Sequence, residues 1–396
     1  MKEMNKGIKN LITKSIDEII VKDSLINKLN SGKKLVVKLG IDPTGSKLHL
    51  GHVVVLKKLK EFQDLGHQII LIIGDFTARI GDPSGKNKER KTLSSKEIEN
   101  NMKTYKQQIE KILDLNKTKF VYNSQWLAKM DLKNIFELAS KTTFAQIFER
   151  NDFRQRIEEG NDISYLETLY PLMQGYDSVQ LKADVELGGT DQKFNLLMGR
   201  QIQKRYKQKE QDVVIVKLLP GLDGAKMSKS ANNFISIDEK PFDMYSKVMS
   251  ISDNLIPEYY ELCTNISSKD LEKIVSKLEN EKEKVYEIKR QLAKEIVEIY
   301  HGTNEAELAS NNFVKVYKYG QYKEAEIHIV IKSGNYKLRE IPILSNATTS
   351  TVQAKKLVMQ GAVEINNKKI LDPNQKISLK AKDIIRIGKK RFVKVK

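Results

Sequence analysis

Short apolar runs that alternate with helical-period stretches constrain the fold of this chain more than any other feature. Residues 34–39 (Lys-Leu-Val-Val-Lys-Leu) read as a buried strand. A loop punctuated by Gly40, Pro43 and Gly45 follows, and then a helical stretch over residues 49–65, where Val53, Leu56, Leu59, Phe62 and Leu65 recur on one face. Residues 69–73 form another apolar strand ending at Gly74-Asp75, and shorter runs fall at 119–122 and 213–216. Strands that alternate with helices predict an α/β fold with a nucleotide-binding, Rossmann-like, mostly parallel sheet. Ligands then belong at the carboxyl ends of the strands.

The texture changes after residue 234. Helical periodicity dominates residues 235–325, and a Lys/Glu-rich stretch over 267–300 carries Ile274, Leu278, Val285, Ile288 and Leu292. A polar junction at 319–325 precedes a basic terminal module. The expected organisation is an α/β catalytic domain over 1–234, an α-helical domain over 235–325 and a small α+β module over 331–396. A chain of 396 residues has room for two or three domains.

Charge distribution singles out the last module. It holds sixteen Lys/Arg and four Asp/Glu, a net +12 out of the +18 of the whole chain. A uniform compositional bias would spread that excess evenly, so a polyanion-binding module is expected. No apolar stretch has the length of a membrane span, and the Lys-rich amino terminus has no signal-peptide core. Cys263 is the only cysteine, which excludes an intrachain disulfide framework and cysteine-cluster metal sites. These readings lead to the expectation of a cytoplasmic protein with no metal site of its own.

Two segments suggest nucleotide chemistry. His49-Leu50-Gly51-His52 opens a helix directly after a strand and loop. A helix amino terminus attracts anions, and imidazole N–H groups there could stabilise charge developing on a phosphate. Gly51 would let a flat adenine lie close to the backbone. Two surface histidines remain an open alternative from spacing alone. Zinc fits poorly, because the pair lacks the two-His, one-Glu helix spacing. A Walker loop is also excluded: Ile80 stands where its first glycine belongs, and Asn87 follows Gly85-Lys86. The second segment, Lys226-Met227-Ser228-Lys229-Ser230, follows Gly221-Leu222-Asp223-Gly224. Two lysines three apart on a glycine-flanked loop suit a clamp on pyrophosphate, although a solvated basic loop reads the same way.

In their order along the chain these segments resemble the two signatures of class I aminoacyl-tRNA synthetases. The resemblance implies ATP as a substrate, with Mg²⁺. It places His49 and His52 at the α-phosphate, and Lys226, Lys229, Lys86 and Arg90 at the pyrophosphate, with Thr44 also among the catalytic residues. Gly40, Asp42, Gly51, Gly189, Asp191, Met227 and Ser228 would complete the ATP site.

A further stretch, Tyr170-Pro171-Leu172-Met173-Gln174-Gly175-Tyr176-Asp177, puts Tyr170, Gln174 and Asp177 on one helix face, with Pro171 expected in the first turn. By spacing alone this could be a polar outer face. Together with Glu186-Leu187-Gly188-Gly189-Thr190-Asp191-Gln192, read as a glycine hinge, and Gly40-Ile41-Asp42-Pro43-Thr44, it resembles tyrosyl-tRNA synthetases over the whole chain. The resemblance implies that Asp177 accepts a hydrogen bond from the hydroxyl of L-tyrosine. Tyr170, Gln174, Asp82 and Gln192 would hold the ammonium and carboxylate end, and Asn123 and Thr77 would orient them. At Lys38, one bacterial branch of the family carries a tyrosine that also reaches the hydroxyl. Lys38 and the Lys-Met-Ser-Lys-Ser form of the loop resemble the other branch, so that second contact must be missing or supplied elsewhere.

In the basic module, Ser350 caps a helix carrying Lys355 and Lys356, and Gly361 to Ile365, an Asn366-Asn367 turn and strand-like residues 384–387 follow. This resembles an S4 RNA-binding domain, with Lys355, Lys356, Lys389, Lys390 and Arg391 as expected RNA contacts and tRNA(Tyr) as the partner. The family works as a homodimer, with residues 130–165 as the expected contact. A non-catalytic RNA-binding scaffold and a nucleotidyltransferase acting on a small acid are the rival readings.

Overall fold

The computed structural model describes residues 5–84, 93–229, 231–319, 329–345, 347–348, 350–366, 368–388 and 391–396, except for the side chains of 317–319, 329 and 391. The chain divides into two compact units. One comprises Met1–Glu239 with Ser250–Leu292, and the other Lys240–Met249 with Ala293–Lys396.

The first unit is built on a six-stranded sheet. Its strands are β1 (Ile16–Ile20), β2 (Val36–Ile41), β3 (Gln68–Ile73), β4 (Thr118–Tyr122), β5 (Val185–Gly189) and β6 (Asp212–Val216), in the order β1-β6-β5-β2-β3-β4. β1 runs antiparallel to β6 at one edge, and every other pairing is parallel. β3 and β6 read as nearly continuous Ile, Leu and Val because both faces of a parallel sheet are covered, and all five residues of β6 are buried. From β2 the chain moves outward through β3 to β4, then crosses back to lay β5 on the other edge of β2. The strand order therefore reverses between β2 and β5, where a crevice opens at the carboxyl ends.

Helix α1 (Leu50–Asp64) follows β2, with His49 as its N-cap residue, and buries Val53, Leu56, Leu59 and Phe62 as its periodicity predicts. Helix α2 (Tyr165–Leu181) begins six residues before Pro171, so the expectation that Pro171 lies in the first turn is not met. Ser164 and Glu167 form a reciprocal capping box that starts the helix earlier, and the buried Arg156 guanidinium pairs with Glu167 at 3.0 Å. Pro171 then costs α2 the single backbone bond that its nitrogen would give to the Glu167 carbonyl. Helix α3 (Lys193–Arg205) packs along α2.

Two strands of this sheet carry no strand pattern in the sequence. β1 carries charged residues at an edge, and β5 was taken for a glycine hinge. Gly188 and Gly189 pair with β6 as strand residues, and close neighbours favour glycine at both positions. A β-carbon at Gly188 would meet Leu196 at 2.9 Å, and one at Gly189 would meet Leu218 at 2.8 Å. In the helical stretch, Ser268–Asn280 and Val285–His301 are two helices separated by a short 3-10 turn, Lys282–Lys284.

In the second unit, the Tyr245 ring packs at a tilt against Phe313, and its hydroxyl shares a hydrogen bond with Ser310. The carboxyl-terminal module has helix α4 (Thr351–Met359), capped by the Ser350 hydroxyl, and strands β7 (Ile329–Ile331), β8 (Gly334–Lys337), β9 (Val363–Ile365), β10 (Lys368–Lys369), β11 (Lys376–Leu379), β12 (Ile384–Ile387) and β13 (Arg391–Val395). β10-β9-β12-β13-β7 form one sheet and β11-β8 a second. Leu338, Ile341, Val358, Val363, Ile385 and Val393 close a separate small core.

Candidate active site

A cavity of about 530 Å³ occupies the crevice between β2 and β5. Every described residue of the expected ATP and tyrosine sets lines it: five of the seven catalytic candidates, all seven ATP candidates and all seven tyrosine candidates. Lys86, Arg90 and Ser230 lie outside the described residues.

At one end the walls suit an aromatic acid with a polar head. Asp177, on the inner face of α2, is buried. Its Oδ1 accepts the Trp126 indole N–H at 2.7 Å, and its Oδ2 accepts from the Asn123 amide at 3.3 Å. Burial raises its pKa to about 7, even though the nearby Lys38 charge and the two donors pull the other way. A buried carboxylate of this kind gains from a third donor such as a hydroxyl. Beside it, the Asp42 carboxylate accepts from Thr77 at 2.7 Å and from the Tyr170 hydroxyl at 3.0 Å. Gly74 makes room for this arrangement, since a β-carbon there would lie 1.9 Å from Asp42 Oδ1.

Asp82 is held by the Gln192 amide at 2.7 Å, the Ser84 backbone N–H at 3.0 Å and the Asn195 amide at 3.3 Å. Burial opposes its ionisation. The Ser84 and Gln192 donors and the Arg150 charge outweigh that, so its carboxyl lies below the usual range. Asp82 is therefore an anion near neutral pH and can face an ammonium group.

The other end suits polyphosphate. His49 and His52 sit at the start of α1 with ring centroids 3.8 Å apart. His52 Nδ1 accepts the His49 backbone N–H at 3.2 Å. Burial, with the Lys229 and Lys226 charges, brings the His49 pKa down to about 3. Burial, with His49 and Lys229, holds His52 well below its ordinary value. Both imidazoles are therefore neutral near pH 7, and because Nδ1 of His52 accepts, its proton sits on Nε2. Lys226 pairs with Asp191 at 2.6 Å, and Lys229 donates to the Gly45 carbonyl at 3.0 Å. Gly51 keeps the backbone open, because a β-carbon there would meet the His49 ring at 3.0 Å.

The family model "tRNA synthetases class I (W and Y)" matches residues 30–318, and the S4 domain model matches residues 349–385. The chain is 47% identical over 400 residues to tyrosine–tRNA ligase 2 of Clostridium acetobutylicum, covering 100% of this chain and 99% of that one. It is 46% identical to tyrosine–tRNA ligase of Carboxydothermus hydrogenoformans, covering 97% of this chain and 96% of the relative. The chain belongs to the tyrosyl-tRNA synthetases, within class I. Its fold is also that of the tyrosyl-tRNA synthetase of Archaeoglobus fulgidus solved with L-tyrosine, with a TM-score of 0.63 at 21% identity over 78% of this chain and 100% of that one.

In this synthetase several supporting residues of the site carry no local sequence signal. The Trp126 indole N–H holds Asp177, and Glu186 accepts from the Gln174 amide. Arg150, buried, donates to Asn195 at 2.6 Å and to Ser84 at 3.2 Å, and grips Asp152 with two nitrogens. A short Ser-Asn-Arg network thus holds the Asp82 loop, and no local motif announces it because its members lie up to 111 residues apart. The S4 module presents Lys355 and Lys356 on the exposed face of α4. Lys389 and Lys390 lie outside the described residues, as does the side chain of Arg391.

Proposed function

We infer that this chain is a tyrosine–tRNA ligase: it activates tyrosine with ATP to tyrosyl-adenylate and transfers the tyrosyl group to tRNA(Tyr). The observation that carries the reading is Asp177, a buried carboxylate at the end of a cavity whose other end gathers His49, His52, Lys226 and Lys229. Tyrosine would enter with its hydroxyl on Asp177 and its ammonium group against Asp82, Tyr170 and Gln174. Thr77, Asn123 and Gln192 orient those groups.

ATP would lie over Gly40, Asp42, Thr44 and Gly51, with Gly189 and Asp191 at its ribose and Met227-Ser228 beneath the adenine. The tyrosine carboxylate then attacks the α-phosphorus, an O–P bond forms, and pyrophosphate leaves with its electron pair. Neutral His49 and His52 donate N–H groups to the α-phosphate oxygens as charge builds, and Lys226 and Lys229 follow the leaving group. Lys86 and Arg90 would add to that clamp. Mg²⁺ would arrive bound to the phosphates and share their charge. In the second step the terminal ribose hydroxyl of the tRNA attacks the tyrosyl carbonyl and AMP leaves. The basic S4 module, with Lys355, Lys356, Lys389, Lys390 and Arg391, supplies phosphate contacts.

A homodimer fits the surface. Leu132, Phe136, Phe144, Ile157, Tyr165 and Leu166 are all exposed within a short stretch around the expected 130–165 contact. Phe136→Glu should convert a dimer to a monomer in sedimentation velocity. A chain that is already monomeric at micromolar concentration would remove the dimer from the account. No helix among the described residues is long and apolar enough to cross a membrane, and we place the enzyme in the cytoplasm with its tRNA. The overall test is ATP–pyrophosphate exchange with each standard amino acid: tyrosine alone should support it, and exchange with none would leave only an RNA-binding scaffold.

A further inference from the structure

Lys38 and Glu186 face each other directly across β2 and β5, at the point where the strand order reverses. Lys38 Nζ meets Glu186 Oε1 at 2.8 Å, and each side chain is 1% exposed. Neither lines the cavity, so Lys38 is not the missing second contact to a bound hydroxyl. Burying an ammonium–carboxylate pair is weak evidence for stability, because desolvation of the two ions can exceed their attraction. What Glu186 does with its remaining capacity is more informative. Its Oε1 also accepts the Gln174 Nε2 at 3.1 Å, while Oε2 accepts from Gln211 and from the Ser178 hydroxyl at 3.4 Å.

A carboxylate can only accept. Glu186 therefore admits one flip of the Gln174 amide: the NH₂ group turns down to the sheet, and Oε1 is left for the cavity that Gln174 lines. Lys38 pairs with that carboxylate and holds it in place, and its ammonium lies 3.5 Å from the Gln174 backbone carbonyl. The packing above allows no slack. A β-carbon on Gly199 would meet Glu186 Oε2 and Ser178 Oγ, both at 3.0 Å, and Gln211 Nε2 at 2.5 Å.

We propose that the buried Lys38–Glu186 pair is a positioning element for substrate recognition, fixing the Gln174 amide so that its oxygen receives the α-ammonium group of tyrosine. This rests on the tyrosine reading above. Lys38 acts through Glu186 and Gln174 rather than on the substrate. Its charge also favours ionised Asp177, a separate effect that the test must remove.

The test uses the full-length chain and tyrosine-dependent ATP–pyrophosphate exchange at pH 8.5, above the Asp177 titration. Two variants are measured, Lys38→Met and the charge-neutral Lys38→Met/Glu186→Gln, with cooperative melting as the check on folding. An amide at position 186 can pair with either flip of Gln174, so the double variant loses the constraint while retaining hydrogen bonds to Gln211 and Ser178. The KM for tyrosine should rise roughly tenfold in the double variant, the equivalent of one charged hydrogen bond, with kcat and the KM for ATP near those of the parent. The single variant should show the same pattern if it folds; if it does not, the double variant decides. A tyrosine KM within twofold of the parent, or a proportional fall in kcat for both substrates, overturns the positioning role. Absence of tyrosine-dependent exchange in the parent itself would count against the tyrosine reading and not against this pair.

Discussion

The Trp126 indole N–H donates to Asp177 Oδ1 at 2.7 Å, and Trp126 is the only tryptophan of the chain. The chain therefore carries an optical reporter on the carboxylate that the account assigns to the substrate hydroxyl. Tyrosine should change its emission saturably, while phenylalanine at the same concentration should leave it nearly unchanged. Asp177→Ala should weaken tyrosine activation by about 1.5–3 kcal/mol, the usual worth of a hydrogen bond to a charged group, with the KM for ATP little altered. Equal losses for the two substrates would show that the acceptor role is misassigned.

Asp177 also sets the pH response. Burial raises it from the ordinary 3.8 to about 7. Between those values the folded chain retains a proton that the unfolded chain has lost. Ligand-free stability from this group therefore falls as pH rises through that window. Tyrosine affinity moves the other way, because the hydroxyl donates to the ionised carboxylate. The KM for tyrosine should fall as pH rises through about 7, and Asp177→Asn should flatten that limb while raising the Tm at pH 8 more than at pH 5. A tyrosine KM that stays constant from pH 6 to 8 would contradict the assignment.

The phosphate end should answer differently. His49, brought down to about 3, and His52 are neutral throughout the working range, so no histidine limb is expected near pH 6.5. His49→Ala and Lys229→Ala should each lower the rate of adenylate formation by about 10²–10³-fold, as loss of a preorganised donor does, while the Trp126 titration with tyrosine is unchanged. Rapid-quench measurement of adenylate separates the two effects; weaker tyrosine binding with a normal rate would place these residues at the wrong end of the cavity.

The terminal module should matter only for tRNA. Removing residues 331–396 should leave tyrosyl-adenylate formation nearly intact and abolish most charging. Lys355→Ala and Lys356→Ala should each reduce the slope of log affinity against log salt by about 1. Unchanged charging after the deletion would refute the module's role.

Much of this site was legible because its residues sit in short segments whose order carries information. His49–His52 opens α1, Tyr170, Gln174 and Asp177 share one face of α2, and Lys226 to Lys229 follow a glycine turn; each brings its own local pattern. The strand–helix alternation likewise made the parallel sheet readable. What escaped is what depends on distant partners. Gly188 and Gly189 looked like a hinge because the Leu196 and Leu218 side chains that require glycine in β5 are visible only once folded. The start of α2 was misplaced because Pro171 is a strong local signal, while the Arg156–Glu167 pair behind the true start is a tertiary one. Lys38 looked like a gap in substrate recognition because its partner Glu186 is 148 residues away.

The central claim is the orientation of tyrosine in the crevice between β2 and β5, and a crystal structure with tyrosyl-adenylate tests it most directly. The phenol oxygen should lie within hydrogen-bond distance of an Asp177 carboxylate oxygen, the α-ammonium group against Asp82 and Gln174 Oε1, and the phosphate beside His49 and His52. A phenol ring directed away from Asp177, or an α-ammonium group remote from Asp82, would contradict it.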